Sequence, residues 1–353
     1  MKLFITGATG FLGQYVVAEA LRRGHSVRAV ARRGADLSDI DWATNANVEL
    51  ARVDLRSREG LVDAVRGCNA VLHLAAAKSG DVYAQLGGTV VGTENLLWAM
   101  SEAAVTHLVA TSTFSVYQYL QRWSHGTIDE DSPLDLAMSD RDDYAKTKLI
   151  QEQLILDYAK SHNWRWTILR PAMLYGKDNL FNARVGVKAG SRWWIRTGAW
   201  ARIPLNYVEN CAEAIVLAAE VPAANEQILN VVDDDPPTQR RYAKLLQQRT
   251  TPRPRIVPVS WTAMRSIARL AWLSNKLLLG GRAKIPGLLS PAKVHARIKP
   301  FRYSNARIKQ ALGWRPRYSL VEAIERSLSD ETPALKSTPA ITPANVKLEG
   351  MTA

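Results

Sequence analysis

Cysteine is scarce: Cys68 and Cys211 stand alone among 353 residues, with no CxxC pair and no Cys/His cluster. Neither a disulfide framework nor a zinc site is supported, and a reducing compartment fits best. Long apolar runs are missing too. No stretch reaches the roughly 20 uninterrupted residues that a spanning helix needs, so the chain is not expected to be integral to a membrane. Met1-Lys2 passes directly into Leu3-Phe4-Ile5-Thr6-Gly7, an apolar run too short for a signal peptide, and a cytoplasmic location is expected. Acid is absent from Pro236 to Val321, where nineteen Lys and Arg occur. The rest of the chain is mildly acidic, so the excess behind the net charge of +13 lies in this C-terminal segment.

Short β-rich apolar runs alternate with helical spacing through the first half. The runs are Lys2–Thr6, Ser26–Ala31, Val48–Val53, Ala70–Leu74, His107–Thr111 and Trp166–Leu169, with helical patterns at Gln14–Arg23, Arg58–Arg66 and Gly88–Ala103. That order predicts an α/β fold with a doubly wound parallel (Rossmann) sheet, whose ligands bind at the carboxyl ends of the strands. A dinucleotide-binding domain is expected over 1–175. A smaller, irregular α+β substrate lobe is expected over 176–330, including a helix at Asn210–Glu220. The Pro/Thr-punctuated residues 331–353 read as a disordered tail.

Thr6-Gly7-Ala8-Thr9-Gly10-Phe11-Leu12-Gly13 follows the first strand and opens the first helix. Its glycines permit a tight turn, and backbone N–H groups at a helix start favour a pyrophosphate. Gly7, Thr9, Gly10, Phe11, Leu12 and Gly13 are therefore candidate cofactor contacts. The second strand ends at Arg32-Arg33, where an NAD-binding chain would place an acid on the ribose 2′-hydroxyl. Guanidinium suits a 2′-phosphate, so NADP is expected, with NAD the alternative; a solvated loop competes for Arg33 more than for Arg32. Asp54-Leu55 can hold the adenine edge, and Leu74-Ala75 can line the nicotinamide side. His73 reads as a packed strand-end residue.

Tyr144 and Lys148 are four apart on a helical pattern and share a face. A neighbouring ammonium stabilises a phenolate and brings tyrosine, ordinarily near pKa 10, toward acid–base range. The hydroxyl cluster Thr111-Ser112-Thr113, ending the preceding strand, can bond the same substrate oxygen. No metal is implied.

TGATGFLG, Asp54-Leu55, HLAA, Thr113…Val116-Tyr117, YAKTK, Arg170-Pro171…Tyr175-Gly176 and Leu312-Gly313-Trp314…Pro316 occur in order over roughly residues 1–328. Together they resemble the extended short-chain dehydrogenase/reductase family, also called the NAD-dependent epimerase/dehydratase family. The resemblance implies an enzyme in which Tyr144 exchanges the proton, Thr113 supplies the hydroxyl with Ser112 second, Lys148 also binds the nicotinamide ribose, and Pro171 borders the cofactor. Sugar dehydratases of this kind carry Thr-Asp-Glu where Thr113-Phe114-Ser115 stands, so dehydration is not expected. Thr89 stands where the family often has asparagine, and Gln118 where it usually has glycine.

The resemblance favours a nucleotide-sugar substrate acted on by hydride transfer at a carbinol or ketone carbon, and it is compatible with a homodimer. Arg184, Lys188, Arg192, Arg196 and Arg202 could meet the sugar's diphosphate; a solvated basic surface has equal weight. Against this, Arg32-Arg33 and Val65-Arg66-Gly67-Cys68 point to the alternative, an NADPH-dependent reductase or 3-beta-hydroxysteroid-dehydrogenase-like enzyme. A non-catalytic dinucleotide sensor or assembly protein ranks lower, because Thr113, Tyr144 and Lys148 are all present. Trp261–Leu279 has the pattern of a basic amphipathic helix, expected first to cover the substrate lobe and second to contact an anionic membrane peripherally. Nucleic acid ranks third, since no recognition module accompanies the charge.

Overall fold

The computed structural model describes residues 1–136, 143–182, 184–190, 192–278, 280, 294–295 and 299–329. In chain order the first half forms β1 (Lys2–Thr6), α1 (Phe11–Arg22), β2 (Ser26–Ala31), β3 (Val48–Arg52), α2 (Leu61–Val65), β4 (Ala70–His73), α3 (Val82–Gln85), a π-helical turn (Leu86–Val91), α4 (Gly92–Glu102), β5 (His107–Thr111), β6 (Thr127–Ile128) and α5 (Asp143–His162). There follow β7 (Arg165–Pro171), β8 (Met173–Tyr175), β9 (Gly186–Ala189), β10 (Trp193–Thr197), β11 (Leu205–Tyr207), α6 (Val208–Glu220), β12 (Gln227–Val231), α7 (Gln239–Gln248), β13 (Arg255–Val259) and α8 (Trp261–Leu278). A short strand β14 (Arg302–Tyr303) and helices at Ala306–Leu312 and Leu320–Leu328 close the described chain.

Seven strands form one parallel sheet in the order β12-β7-β5-β4-β1-β2-β3. Successive strand side chains point to opposite faces, and β1 shows what each face meets. Leu3 and Ile5 join the core with Val16 and Val17 of α1 and Ile215 and Ala219 of α6. Phe4 between them joins Leu97 of α4 and Ile155 of α5. Both faces are covered at the centre, so β1, β4 and β5 are buried almost throughout, whereas the edge strand β3 exposes Glu49, Leu50 and Arg52.

The sheet does not end at residue 175. β12 hydrogen-bonds along β7, with Leu229 opposite Leu169, and α6 packs in the same layer as α1. The expected boundary therefore needs correction: residues 208–231 leave the second lobe and return to the sheet. That lobe holds the three-stranded sheet β13-β10-β9 and the pair β11-β8, while β14 pairs with β6. The tail expected over 331–353 lies outside the described residues, as does Leu279 at the end of the expected amphipathic helix. α8 covers the lobe with little: Met264 and Ala268 are its buried residues. Cys68 and Cys211 are buried free thiols.

Candidate active site

The turn after β1 is shaped by two close approaches. Gly7 has φ +69°, and a Cβ there would lie 2.9 Å from the backbone nitrogen of Ala75. A Cβ on Gly13 would lie 2.0 Å from the carbonyl oxygen of Gly7. Only glycine lets the turn press against the end of β4 and α1 press against the turn. Gly10 caps α1 without a side chain, and no acid occupies its first turn. The first-turn N–H groups thus need an acceptor, which an anion supplies. Gly7, Gly10, Phe11, Leu12 and Gly13 line one wall of a cavity of about 720 Å³.

Tyr144 and Lys148 of α5 line the same cavity, together with Ser112, Thr113, Leu74 and Pro171. Lys148 is fully buried; its Nζ donates to the Thr111 carbonyl at 2.7 Å and to Oε1 of Gln151 at 2.7 Å. Burial, helped by the Lys78 charge and opposed by Glu152, pulls its pKa down to about 7. Nε2 of Gln151 donates to Oγ1 of Thr93 at 2.7 Å, beside His73. Oγ1 of Thr6 already accepts the N–H groups of Leu74 and Ala75, so it donates to Nδ1 of His73 at 2.7 Å. Nε2 of His73 then donates to Thr93 at 2.9 Å. Burial and the Lys148 charge hold His73 down to about 3, so it stays neutral and structural. A polar chain thus ties the strand before the glycine turn to the lysine.

The two candidate hydroxyls differ. Oγ1 of Thr113 accepts the Ser115 N–H at 3.2 Å and caps the short 3₁₀ turn Phe114–Val116, which leaves its O–H to donate. Oγ of Ser112 is buried with no hydrogen-bond partner among the described residues. Behind them, Arg170 pairs with Glu152 at 2.7 Å and donates to the Tyr117 hydroxyl at 3.1 Å, which donates to Asn230 of β12 at 2.7 Å. Thr89 lies in the π-helical turn, where its Oγ1 accepts the Ala77 N–H at 3.0 Å and supports the loop after β4.

At the far edge, Arg32 is exposed and its guanidinium has no hydrogen-bonded partner among the described residues, whereas Arg33 pairs with Glu59 at 2.7 Å. The Asp54 carboxylate is held by Arg56, backbone and side chain, which with Arg32 nearby lowers its pKa to about 2. Leu55 is buried, and its carbonyl accepts from Asn95. Thr9, Arg32, Asp54, Leu55 and Ala75 stand outside the cavity lining, and Ala75 backs the glycine turn. Of the five expected diphosphate contacts, Arg184 alone lines the cavity. Lys188 lies over the Phe181 ring, Arg196 donates to the Gly198 carbonyl, and Arg202 to that of Pro236. Sequence reasoning missed Lys78, Phe114, Tyr119, Met173, Leu174 and Asn179 in the lining. Most follow a strand end, which was the available signal.

Comparison with known proteins bears on this geometry. The model of the NAD dependent epimerase/dehydratase family matches residues 3–231. The chain is 26% identical over 336 residues to a decarboxylating sterol-4-alpha-carboxylate 3-dehydrogenase of Homo sapiens, covering 92% of this chain and 86% of that one. It is 27% identical over 305 residues to a 4-hydroxy-2-methyl-3-oxo-4-farnesyl-3,4-dihydroquinoline-1-oxide ketoreductase of Stigmatella aurantiaca, covering 83% and 84%. Among solved structures, a UDP-glucose 4-epimerase of Thermotoga maritima superposes with a TM-score of 0.70 at 17% identity, over 93% of this chain and 97% of that one. At that identity the likeness is one of fold.

Proposed function

The chain belongs to the NAD dependent epimerase/dehydratase family, and from that premise we propose that it is an NADP-preferring dehydrogenase or reductase of a largely apolar secondary alcohol or ketone. The observation that carries the chemistry is one cavity walled by the glycine turn, Tyr144, Lys148 and the Ser112–Thr113 hydroxyls. The close-packed Gly7 and Gly13 and the uncapped start of α1 fit a dinucleotide, with Arg32 free to meet a 2′-phosphate. When bound, the nicotinamide supplies a two-electron hydride acceptor or donor. Tyr144 takes the hydroxyl proton as the carbinol carbon gives up its hydride, and returns that proton in the reverse direction. Thr113 or Ser112 donates to the substrate oxygen and orients it. Lys148, fixed by Thr111 and Gln151, places its charge beside the tyrosine.

Two things favour an apolar substrate. Phe114, Tyr119, Met173 and Leu174 contribute to the lining, and the relatives that align over most of the chain are named for sterol and farnesyl-quinoline substrates. A nucleotide sugar is the second reading; Arg184 in the cavity favours it. Purified protein incubated with NADP or NAD and a panel of hydroxysteroids and prenylated ketones tests the assignment. Net cofactor reduction or oxidation on the apolar panel is expected. Conversion of a UDP-sugar to its epimer, with no net change in cofactor and no turnover of the panel, would replace the first reading by the second.

A further inference from the structure

α8 wears its apolar side chains on the outside. At about 100° per residue, the buried Met264 and Ala268 share one side with the half-buried Ala271. Beside them, beginning about 20° from Ala271, Leu278, Ile267, Leu270, Leu277 and Leu273 lie in a sector of roughly 140° that Ser266 and Ser274 share. These five are exposed, Leu270 by 64%, Leu277 by 78% and Leu278 by 80%. Along one border of this sector runs a row of cations, Arg265, Arg269 and Lys276, the last lying over the Trp272 ring at 5.2 Å. A helix that only covered its own lobe would point these residues inward.

We propose that this face of α8 docks on an anionic lipid surface, with the five aliphatic side chains inserted at the level of the acyl boundary and the cation row among the headgroups. Charge complementarity selects that occupant. From Pro236 to Val321 the chain carries no carboxylate, so a second copy meeting this face with its own would set cation against cation. Trp193 and Trp200 are also exposed in this lobe, with Arg255 and Arg240 over their rings; such amphipathic rings suit the headgroup region. A pocket of about 220 Å³ lined by Leu120, Arg265, Ala268, Arg269, Val294 and His295 lies under the cation row, on the buried side of α8. Among the described residues no helix is long and apolar enough to cross a membrane, so the contact is peripheral. Resting on the function proposed above, the placement also has a use. Leu120 of this pocket directly follows Tyr119 of the cavity, so the helix that docks and the cavity that would receive an apolar substrate meet at one chain segment.

Sedimentation of the full chain with phosphatidylcholine vesicles, and with vesicles containing phosphatidylglycerol, tests the docking apart from any substrate. Pelleting is expected with the anionic vesicles only, and it should fall as salt screens the charges. Replacing Arg265, Arg269 and Lys276 by Ser should weaken it on the order of 100-fold, at roughly fivefold per cation near the surface. Leu270→Glu with Leu277→Glu should abolish it, and because both side chains are exposed the fold should be kept, which circular dichroism checks. Absence of pelleting at low salt overturns the proposal, as does pelleting unchanged in the Leu270/Leu277 variant. A lipid-free dimer that dissociates in that variant would overturn it in favour of self-association.

Discussion

Lys148 reaches from α5 to the last carbonyl of β5, that of Thr111, across 2.7 Å. The bond fixes the helix that carries Tyr144 to the strand end that carries Ser112 and Thr113, and it does so with an amine taken wholly out of water. Its pKa falls from the ordinary 10.5 to about 7. Between those values the unfolded chain holds a proton that the folded chain lacks, so this group makes stability rise with pH across that window, by up to about 1.4 kcal/mol per unit. Urea unfolding of the cofactor-free protein at several pH values between 7 and 10 should show this rise flattened in Lys148→Met. Parallel pH profiles for the two proteins would contradict it.

Tyr144→Phe keeps the ring and removes the hydroxyl proposed to exchange the substrate proton. Turnover should drop by roughly 10²–10⁴-fold, the usual worth of general acid–base catalysis, while dinucleotide affinity measured by fluorescence titration stays nearly unchanged. Near-normal turnover would remove Tyr144 from the proposed role.

Arg32, at the end of β2 with an exposed guanidinium that has no hydrogen-bonded partner among the described residues, should set the cofactor preference. Arg32→Asp repels a 2′-phosphate and accepts from a bare 2′-hydroxyl, so the ratio of NADP to NAD affinity should invert. Arg33→Ser, which only frees Glu59, should change the ratio little. Wild-type protein that binds NAD more tightly than NADP would refute the assignment.

The buried pair Arg170–Glu152 joins β7 to α5, and through Tyr117 and Asn230 it also holds the loop after β5 and β12. Glu152→Gln leaves a guanidinium without its counter-charge in the interior. A loss of about 3–5 kcal/mol in unfolding free energy is expected, read from denaturant midpoints. A loss below 1 kcal/mol would mean that Arg170 finds compensation elsewhere.

Much of this was legible beforehand because it is local. The bounds of β1, β2 and β5 were readable from apolar runs flanked by turns, and the glycine turn and the Tyr144–Lys148 spacing announced the cavity wall. What escaped depends on pairing between distant segments. Gln227–Val231 looks like any short apolar run, and nothing in it says that its partner is Arg165–Pro171. The chain of Thr6, His73, Thr93 and Gln151 joins four elements at residue types that are ordinary one by one. The basic residues 184–202 were readable as charge but not as direction, since a cation on a short hairpin is placed by how the hairpin packs. α8 was recognisable as amphipathic, yet which face meets the protein is decided by the lobe beneath it.

The return of β12 has a consequence during synthesis. Until residue 231 has left the ribosome, β7 is the outer strand of an incomplete sheet, with a row of bare peptide groups on one side. Such an edge is a template for pairing with other chains. The nascent polypeptide must pass through the making of β8, the pair β9–β10, β11 and α6 in that state. Stalled or truncated products ending between residues 175 and 226 should therefore be the ones that aggregate or recruit chaperones, even though each holds every residue of the glycine turn and the Tyr144–Lys148 pair.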